Sequence, residues 1–128
     1  MENDILKGRK ILIVEDDHSS RLYLNKILEK TGVILLNAGD GKEAIDIVNK
    51  NPDIDIILMD LQLPVMDGYT SAENIREAHP GIVIIAQTAY GLSSDKDRII
   101  ESGFTDYLIK PIMSKTLIDK LLTNIPMK

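Results

Sequence analysis

Apolar and polar positions alternate along this chain in blocks that switch between two periods. Lys10 to Val14 (KILIV) is a short apolar run that ends abruptly in acids, the pattern of a buried strand. Roughly Ser19 to Lys30 follows as a helix, with Leu22, Ile27 and Leu28 among its apolar residues and Gly32 as its stop. Val33 to Asn37 (VILLN) reads as a second strand. Asp40 then precedes Glu43 at capping-box spacing and opens a helix to about Lys50, which Asn51-Pro52-Asp53 breaks. Ile54 to Met59 is a third strand and ends in another acid, Asp60. The third helix has two candidate starts, Asp67-Gly68 or the Thr70/Glu73 pair, and one stop, Pro80-Gly81. Ile82 to Gln87 is the fourth strand; Ser94 and Asp97 open a fourth helix that Gly103 closes. Thr105 to Ile109 is the fifth strand, and a last helix runs from near Ser114 to Pro126.

Strands alternating with helices at this spacing predict an α/β fold, a parallel sheet with helices on both faces. In such sheets ligands bind at the carboxyl ends of the strands, where the strand order reverses. The 128 residues suffice for one domain and not for two, so the expected organisation is a polar lead-in over 1–8 and a single domain over 9–126.

Composition narrows this picture. Apolar residues make up 44% of the chain but aromatics only 4%, so the core is aliphatic, as suits strands buried on both faces. Cysteine is absent, which removes disulfides, thiolate metal sites and thiol nucleophiles together. Fifteen basic against twenty acidic residues give a formal charge of -5, and the pI near 4.9 argues against direct nucleic-acid binding. No apolar run approaches the roughly 20 residues of a membrane span, and MENDILKGRK lacks the apolar middle of a signal peptide. The expectation is a soluble, cytoplasmic domain without membrane insertion.

The candidate chemistry lies at the strand ends. The first strand delivers Glu15-Asp16-Asp17, the third Asp60, the fourth Thr88-Ala89 and the fifth Lys110-Pro111. Three or four carboxylates, a hydroxyl and an ammonium would then converge on one sheet edge. Clustered carboxylates repel unless a cation intervenes, and an all-oxygen donor set favours a hard one such as Mg²⁺. A metal, a Lys and a hydroxyl around one carboxylate are the parts that phosphoryl transfer needs. Spacing alone does not choose the nucleophile; Asp60, at the central third strand, faces the group from the first. Taken singly, an acid after a strand fits an ordinary helix cap or loop residue as well as a functional one, and Asp17 reads as such a cap. The convergence of four strand ends carries the argument.

These motifs, ILIVEDD, MDLQLPVMDG, AQTA and DYLIKPI in this order and spacing, resemble the receiver domains of two-component response regulators from about Arg9 to Ile125. The resemblance implies a doubly wound, flavodoxin-like, five-stranded sheet of order 2-1-3-4-5. It implies that Asp60 is the phosphoacceptor, that Asp16 ligates Mg²⁺ directly and Glu15 acts on the same ion through water, and that Asp60 and the backbone carbonyl of Gln62 complete the protein ligands. Lys110 would pair with a phosphoryl oxygen, its bond to Pro111 being cis. Thr88 would donate its hydroxyl to the phosphoryl group, and Tyr107 would be the switch aromatic that turns inward. The implied function is a phosphorelay switch, not a turnover enzyme. It takes a phosphoryl group from a phosphohistidine on a histidine kinase or histidine phosphotransfer domain. The face formed by the fourth helix, fifth strand and fifth helix would change on phosphorylation and is a possible homodimer surface. The strings LKGRKILIVEDD and GFTDYLIKPI resemble receivers of hybrid histidine kinases and favour that context over a stand-alone regulator, the alternative.

Two rivals stand beside this reading: an aspartate-nucleophile, Mg²⁺-dependent phosphohydrolase, and a degenerate receiver acting by binding alone. The phosphohydrolase would need a general acid two residues after its nucleophile, where Gln62 stands. Tyr90, two residues after Thr88, is expected to shield an acyl phosphate from water. His18 and His79 have no partner at metal-ligand spacing, while Met59 and Met113 read as core fillers.

Overall fold

The computed structural model describes the backbone of residues 2–89 and 93–126, and the side chains of 4–89 and 96–126. The expected shielding by Tyr90 lies outside the described residues, as does the side chain of Ser94. Among the described residues a short 3-10 turn (Glu2–Ile5) precedes β1 (Lys10–Val14), α1 (His18–Glu29), β2 (Ile34–Ala38), α2 (Gly41–Lys50) and β3 (Ile56–Asp60). Then come α3 (Gly68–Ala78), β4 (Val83–Thr88), α4 (Ser93–Glu101), β5 (Asp106–Ile109) and α5 (Ser114–Asn124). All neighbouring strands are parallel, in the order β2-β1-β3-β4-β5.

Because successive strand residues point to opposite faces, each strand feeds two cores. Leu12, Val14, Ile57, Met59, Ile84 and Ala86 pack on one face with Ala44 and Val48 of α2, Ala72 and Ile75 of α3, and Ile99 of α4. Ile11, Ile13, Ile56, Leu58, Ile85 and Leu108 pack on the other with Leu24 and Leu28 of α1 and Leu117 and Leu121 of α5. The central strand β3 is buried at every position, as its unbroken apolar run requires.

Three helices start on an Asp side chain that accepts a backbone N–H three residues on: Asp17 from Ser20 (2.8 Å), Asp40 from Glu43 (2.8 Å) and Asp67 from Thr70 (2.9 Å). Each such cap contributes about 1 kcal/mol. Asp67 therefore settles the ambiguous start of the third helix, and Gly68 supplies its first turn. A Cβ at Gly68 would collide with the carbonyl oxygen of Asp60 and lie 2.8 Å from the Cα of Leu61, so this loop closes onto the end of β3 only because the side chain is absent.

One expectation needs correction. Met113 is 63% exposed and forms the N-cap position of α5, so it is not a core filler. Leu6, within the lead-in over 1–8, is fully buried in the α1/α5 core. Arg76 on α3 has a role that no motif announced. Its guanidinium donates to the carbonyls of Gly103 (3.0 and 2.8 Å), Pro80 (2.8 Å) and Ile82, and to Thr105 Oγ1 (3.2 Å), tying the turns on both sides of β4 to one helix.

Candidate functional site

The parallel sheet delivers the residues after β1, β3, β4 and β5 to one edge. Glu15 extends β1, its N–H donating to the carbonyl of Ala38 at 3.0 Å. Its carboxylate is buried, and Oε2 accepts from the backbone N–H of Asp17 at 3.1 Å. Asp60 closes β3, almost wholly buried, with Oδ1 accepting from the N–H of Gln62 at 3.0 Å. Asp16 is exposed between them. One carboxylate oxygen from each of Glu15, Asp16 and Asp60 lies within 4.8 Å of the others.

Lys110 faces this cluster from the end of β5. Its Nζ donates to Asp60 Oδ2 at 3.0 Å and to Glu15 Oε1 at 3.5 Å. The backbone N–H of Lys110 donates to the Thr88 carbonyl at 2.7 Å, and the Lys110–Pro111 bond is cis, as the resemblance implied. Thr88 is buried at the end of β4 and lines, with Asp60 and Lys110, a cavity of about 510 Å³.

The electrostatics follow from burial. Burial of Glu15 pushes its carboxyl up to about 7; the neighbouring Asp60 adds to the shift, while the Asp17 N–H and Lys110 oppose it. Burial would lower Lys110, but its hydrogen bond and charge interactions with Asp60 and Glu15 outweigh that and hold it above its ordinary value. One ammonium thus only partly neutralises three carboxylates. The donor set is all oxygen, two members are buried, and the cluster leaves an exposed side at Asp16. These features fit a hard divalent cation completed by water.

The structure brings Glu15, Asp16, Asp60, Thr88 and Lys110 to one place. Gln62 follows on the same loop and borders the cavity. Tyr107 stands apart on β5, its ring half-buried against the α2/α3/α4 core and 5.7 Å from Lys120 Nζ. His79 pairs with Asn49 (2.9 Å) at the far end of α3, and His18 begins α1 outside the carboxylate cluster.

Three residues near the site carried no role in the sequence reading. Arg98 of α4 lies 3.8 Å over the Tyr69 ring, and both line the acceptor cavity. Gln87 is the other, a fully buried amide that follows the apolar run Val83 to Ala86 of β4. The only sequence signal for it was that polarity; which group it faces depends on strand register.

A family model described as the response regulator receiver domain matches residues 11–122. Hybrid signal transduction histidine kinase I of Dictyostelium discoideum is 39% identical over 125 residues, spanning 91% of this chain and 7% of that protein. The chain spans between 6% and 14% of the length of the first four curated relatives. Among solved structures, the receiver domain of a Pseudomonas aeruginosa sensor histidine kinase, with magnesium coordinated in its active-site cleft, is 34% identical. It superposes with a TM-score of 0.84 over 91% of this chain and 97% of that one. The receiver domain of a Saccharomyces cerevisiae response regulator, co-crystallised with its histidine phosphotransfer protein, is 30% identical. There the TM-score is 0.88, over 93% of this chain and 90% of that one.

Proposed function

We infer, because this chain belongs to the response regulator receiver domain family, that Asp60 is its phosphoacceptor. The chain is a receiver domain of two-component phosphorelay signalling, and its family is not one of turnover enzymes. The single observation that carries the assignment of Asp60 is its position. Two buried carboxylates join the cluster and pair with Lys110; Asp60 holds the shorter contact and lines, with Thr88, the larger of the two cavities at this edge, whereas Glu15 does not.

In the proposed reaction an Asp60 carboxylate oxygen attacks the phosphorus of a phosphohistidine. The P–N bond breaks, and its electron pair leaves with the imidazole nitrogen. The product is an acyl phosphate. Lys110 and the Thr88 hydroxyl neutralise and hydrogen-bond the phosphoryl oxygens. Asp16, Asp60, Glu15 and the backbone carbonyl of Gln62 would hold Mg²⁺, which would supply further charge neutralisation of those oxygens. Gln62 in the general-acid position disfavours a phosphohydrolase, since an amide cannot shuttle a proton at neutral pH.

The output follows from differential contacts, because a phosphoryl group biases two arrangements only where it interacts with them differently. Thr88 lies at the start of the loop to α4, and Tyr107 packs on the neighbouring strand. We assign these two to readout, and the α4–β5–α5 face, where Ile100 and Ile109 are half exposed, to partner binding or self-association. The donor is assigned as a phosphohistidine on a histidine kinase or phosphotransfer domain. The receiver of the Saccharomyces complex supports this reading, as do the hybrid-kinase relatives.

Incubation with Mg²⁺ and acetyl phosphate, followed by intact mass, tests the proposal. One added phosphoryl group on the wild type and none on Asp60→Asn is the expected result. No addition to the wild type under any donor would leave a receiver that acts by binding alone.

A further inference from the structure

We infer that Gln87 is a positioning residue of the acceptor site. Its buried amide receives the Lys110 ammonium when that group leaves Glu15 for a phosphoryl group on Asp60. The inference rests on the reading of Asp60 as the acceptor.

Gln87 is the direct cross-strand partner of Asp60 in the β3–β4 ladder, and its carbonyl accepts the N–H of Leu61 at 3.2 Å. Two residues earlier on each strand, Ile85 and Leu58 point into the α1/α5 core, so the period of two sends both Gln87 and Asp60 toward that same face. The Gln87 side chain is 1% exposed, and neither its Nε2 nor its Oε1 has a hydrogen-bond partner among the described residues. A buried amide in that condition is disfavoured relative to an apolar side chain of similar volume. Its presence inside IIAQTA calls for an arrangement in which it is satisfied.

The cavities show which arrangement. The 510 Å³ acceptor cavity is bounded by Asp60 and Thr88. A second cleft of about 320 Å³, between α1 and the Lys110–Met113 loop, is bounded by Glu15 and Tyr23. The lining residues common to both are Gln87 and Lys110. Lys110 therefore reaches one carboxylate on each side of a wall that it shares with an unpartnered amide.

Phosphorylation moves charge across that wall. Once an Asp60 oxygen bridges to phosphorus, the negative charge it carried lies on phosphoryl oxygens in the larger cavity. The ammonium follows that charge, and its 3.5 Å contact with Glu15, already the weaker of the two, is the one to break. An ammonium has three N–H bonds to place. Gln87 Oε1 accepts one of them, while its NH₂ donates to the Glu15 oxygen that Lys110 gave up. A primary amide does both at once; an apolar side chain does neither.

Gln87→Leu and the unbranched Gln87→Met test this by four readouts: the thermal midpoint of the resting chain, the Mg²⁺ concentration at half-maximal rate, and the maximal rate and half-saturation for acetyl phosphate by intact mass. Both variants should keep or raise the midpoint and leave the Mg²⁺ and acetyl phosphate half-points unchanged. The maximal phosphorylation rate should fall roughly tenfold, the loss of one hydrogen bond to a charged group. If Gln87→Leu does not fold, Gln87→Met decides. A maximal rate within about twofold of wild type makes Gln87 an unsatisfied core amide and overturns the inference. A wild type that gains no phosphoryl group overturns the Asp60 reading and this inference together, whereas a phosphorylatable wild type with indifferent variants overturns this inference alone.

Discussion

Lys110 Nζ stands 3.0 Å from Asp60 Oδ2, an ion pair closed between residues fifty positions apart and joined to a second buried acid, Glu15. Each carboxylate would be left facing the other without it.

Replacing Lys110 with Met should therefore act twice. Breaking a fully buried pair costs about 3–5 kcal/mol, but the Lys110 side chain is 31% exposed, so we expect about 1–2 kcal/mol in urea unfolding without Mg²⁺. Phosphorylation from acetyl phosphate should slow by roughly tenfold or more, because the cation that neutralises the transferring oxygens is gone. A variant as fast as wild type would remove Lys110 from the reaction.

The Glu15 carboxyl, held up at about 7 by burial, links stability to pH. Its folded value lies above its ordinary 4.5, so the folded chain holds this proton more tightly. The resulting stability is complete below about pH 4.5 and is lost as pH rises through about 7. In EDTA, wild type should lose stability relative to Glu15→Gln across this window, with a slope approaching about 1.4 kcal/mol per pH unit. Mg²⁺ requires the ionised carboxylate, so its apparent affinity should rise over the same window. Parallel stability curves for the two chains would reject the linkage.

Gly68→Ala should destabilise by about 2–3 kcal/mol, since the new Cβ meets backbone atoms of Asp60 and Leu61 that have nowhere to relax. Gly81→Ala is the control. Nothing lies within 4 Å of a Cβ there, and its effect should stay within about 0.5 kcal/mol. Chemical denaturation of both variants makes the comparison.

Arg76→Ala should cost about 2–3 kcal/mol, because the carbonyls of Gly103, Pro80 and Ile82 lose a charged donor together. Arg76→Lys should recover little of it, an ammonium being unable to span the same fork of acceptors. Equal stability of the Lys variant and wild type would show that charge alone suffices.

Much of this molecule was legible in its sequence because the signals were local. Asp17 and Asp40 announced helix starts, and the apolar runs announced strands, since capping and burial act within a few residues. Strand bounds slipped toward the carboxyl end: Ile54–Met59 became Ile56–Asp60. An apolar run reports burial, and Ile54 is buried, whereas the ladder is fixed by what the neighbouring strands offer. Met113 misled because hydrophobicity does not reveal that a residue caps a helix at the surface. The convergence of Glu15, Asp16, Asp60 and Lys110 followed from strand ends alone. Gln87, Arg76 and the Arg98–Tyr69 stack did not, because their partners are set by register and helix packing between distant segments.

The parallel connectivity has one more consequence. Every helix that follows a strand begins at the edge where the acids gather, so α1, α3 and α5 direct the positive ends of their peptide dipoles toward Glu15, Asp16 and Asp60. Asp17 and Asp67 use part of that field as caps. The remainder gives the edge a positive background that no side-chain count records. A site crowded with carboxylates is thereby less forbidding to an approaching phosphate dianion than its formal charge implies.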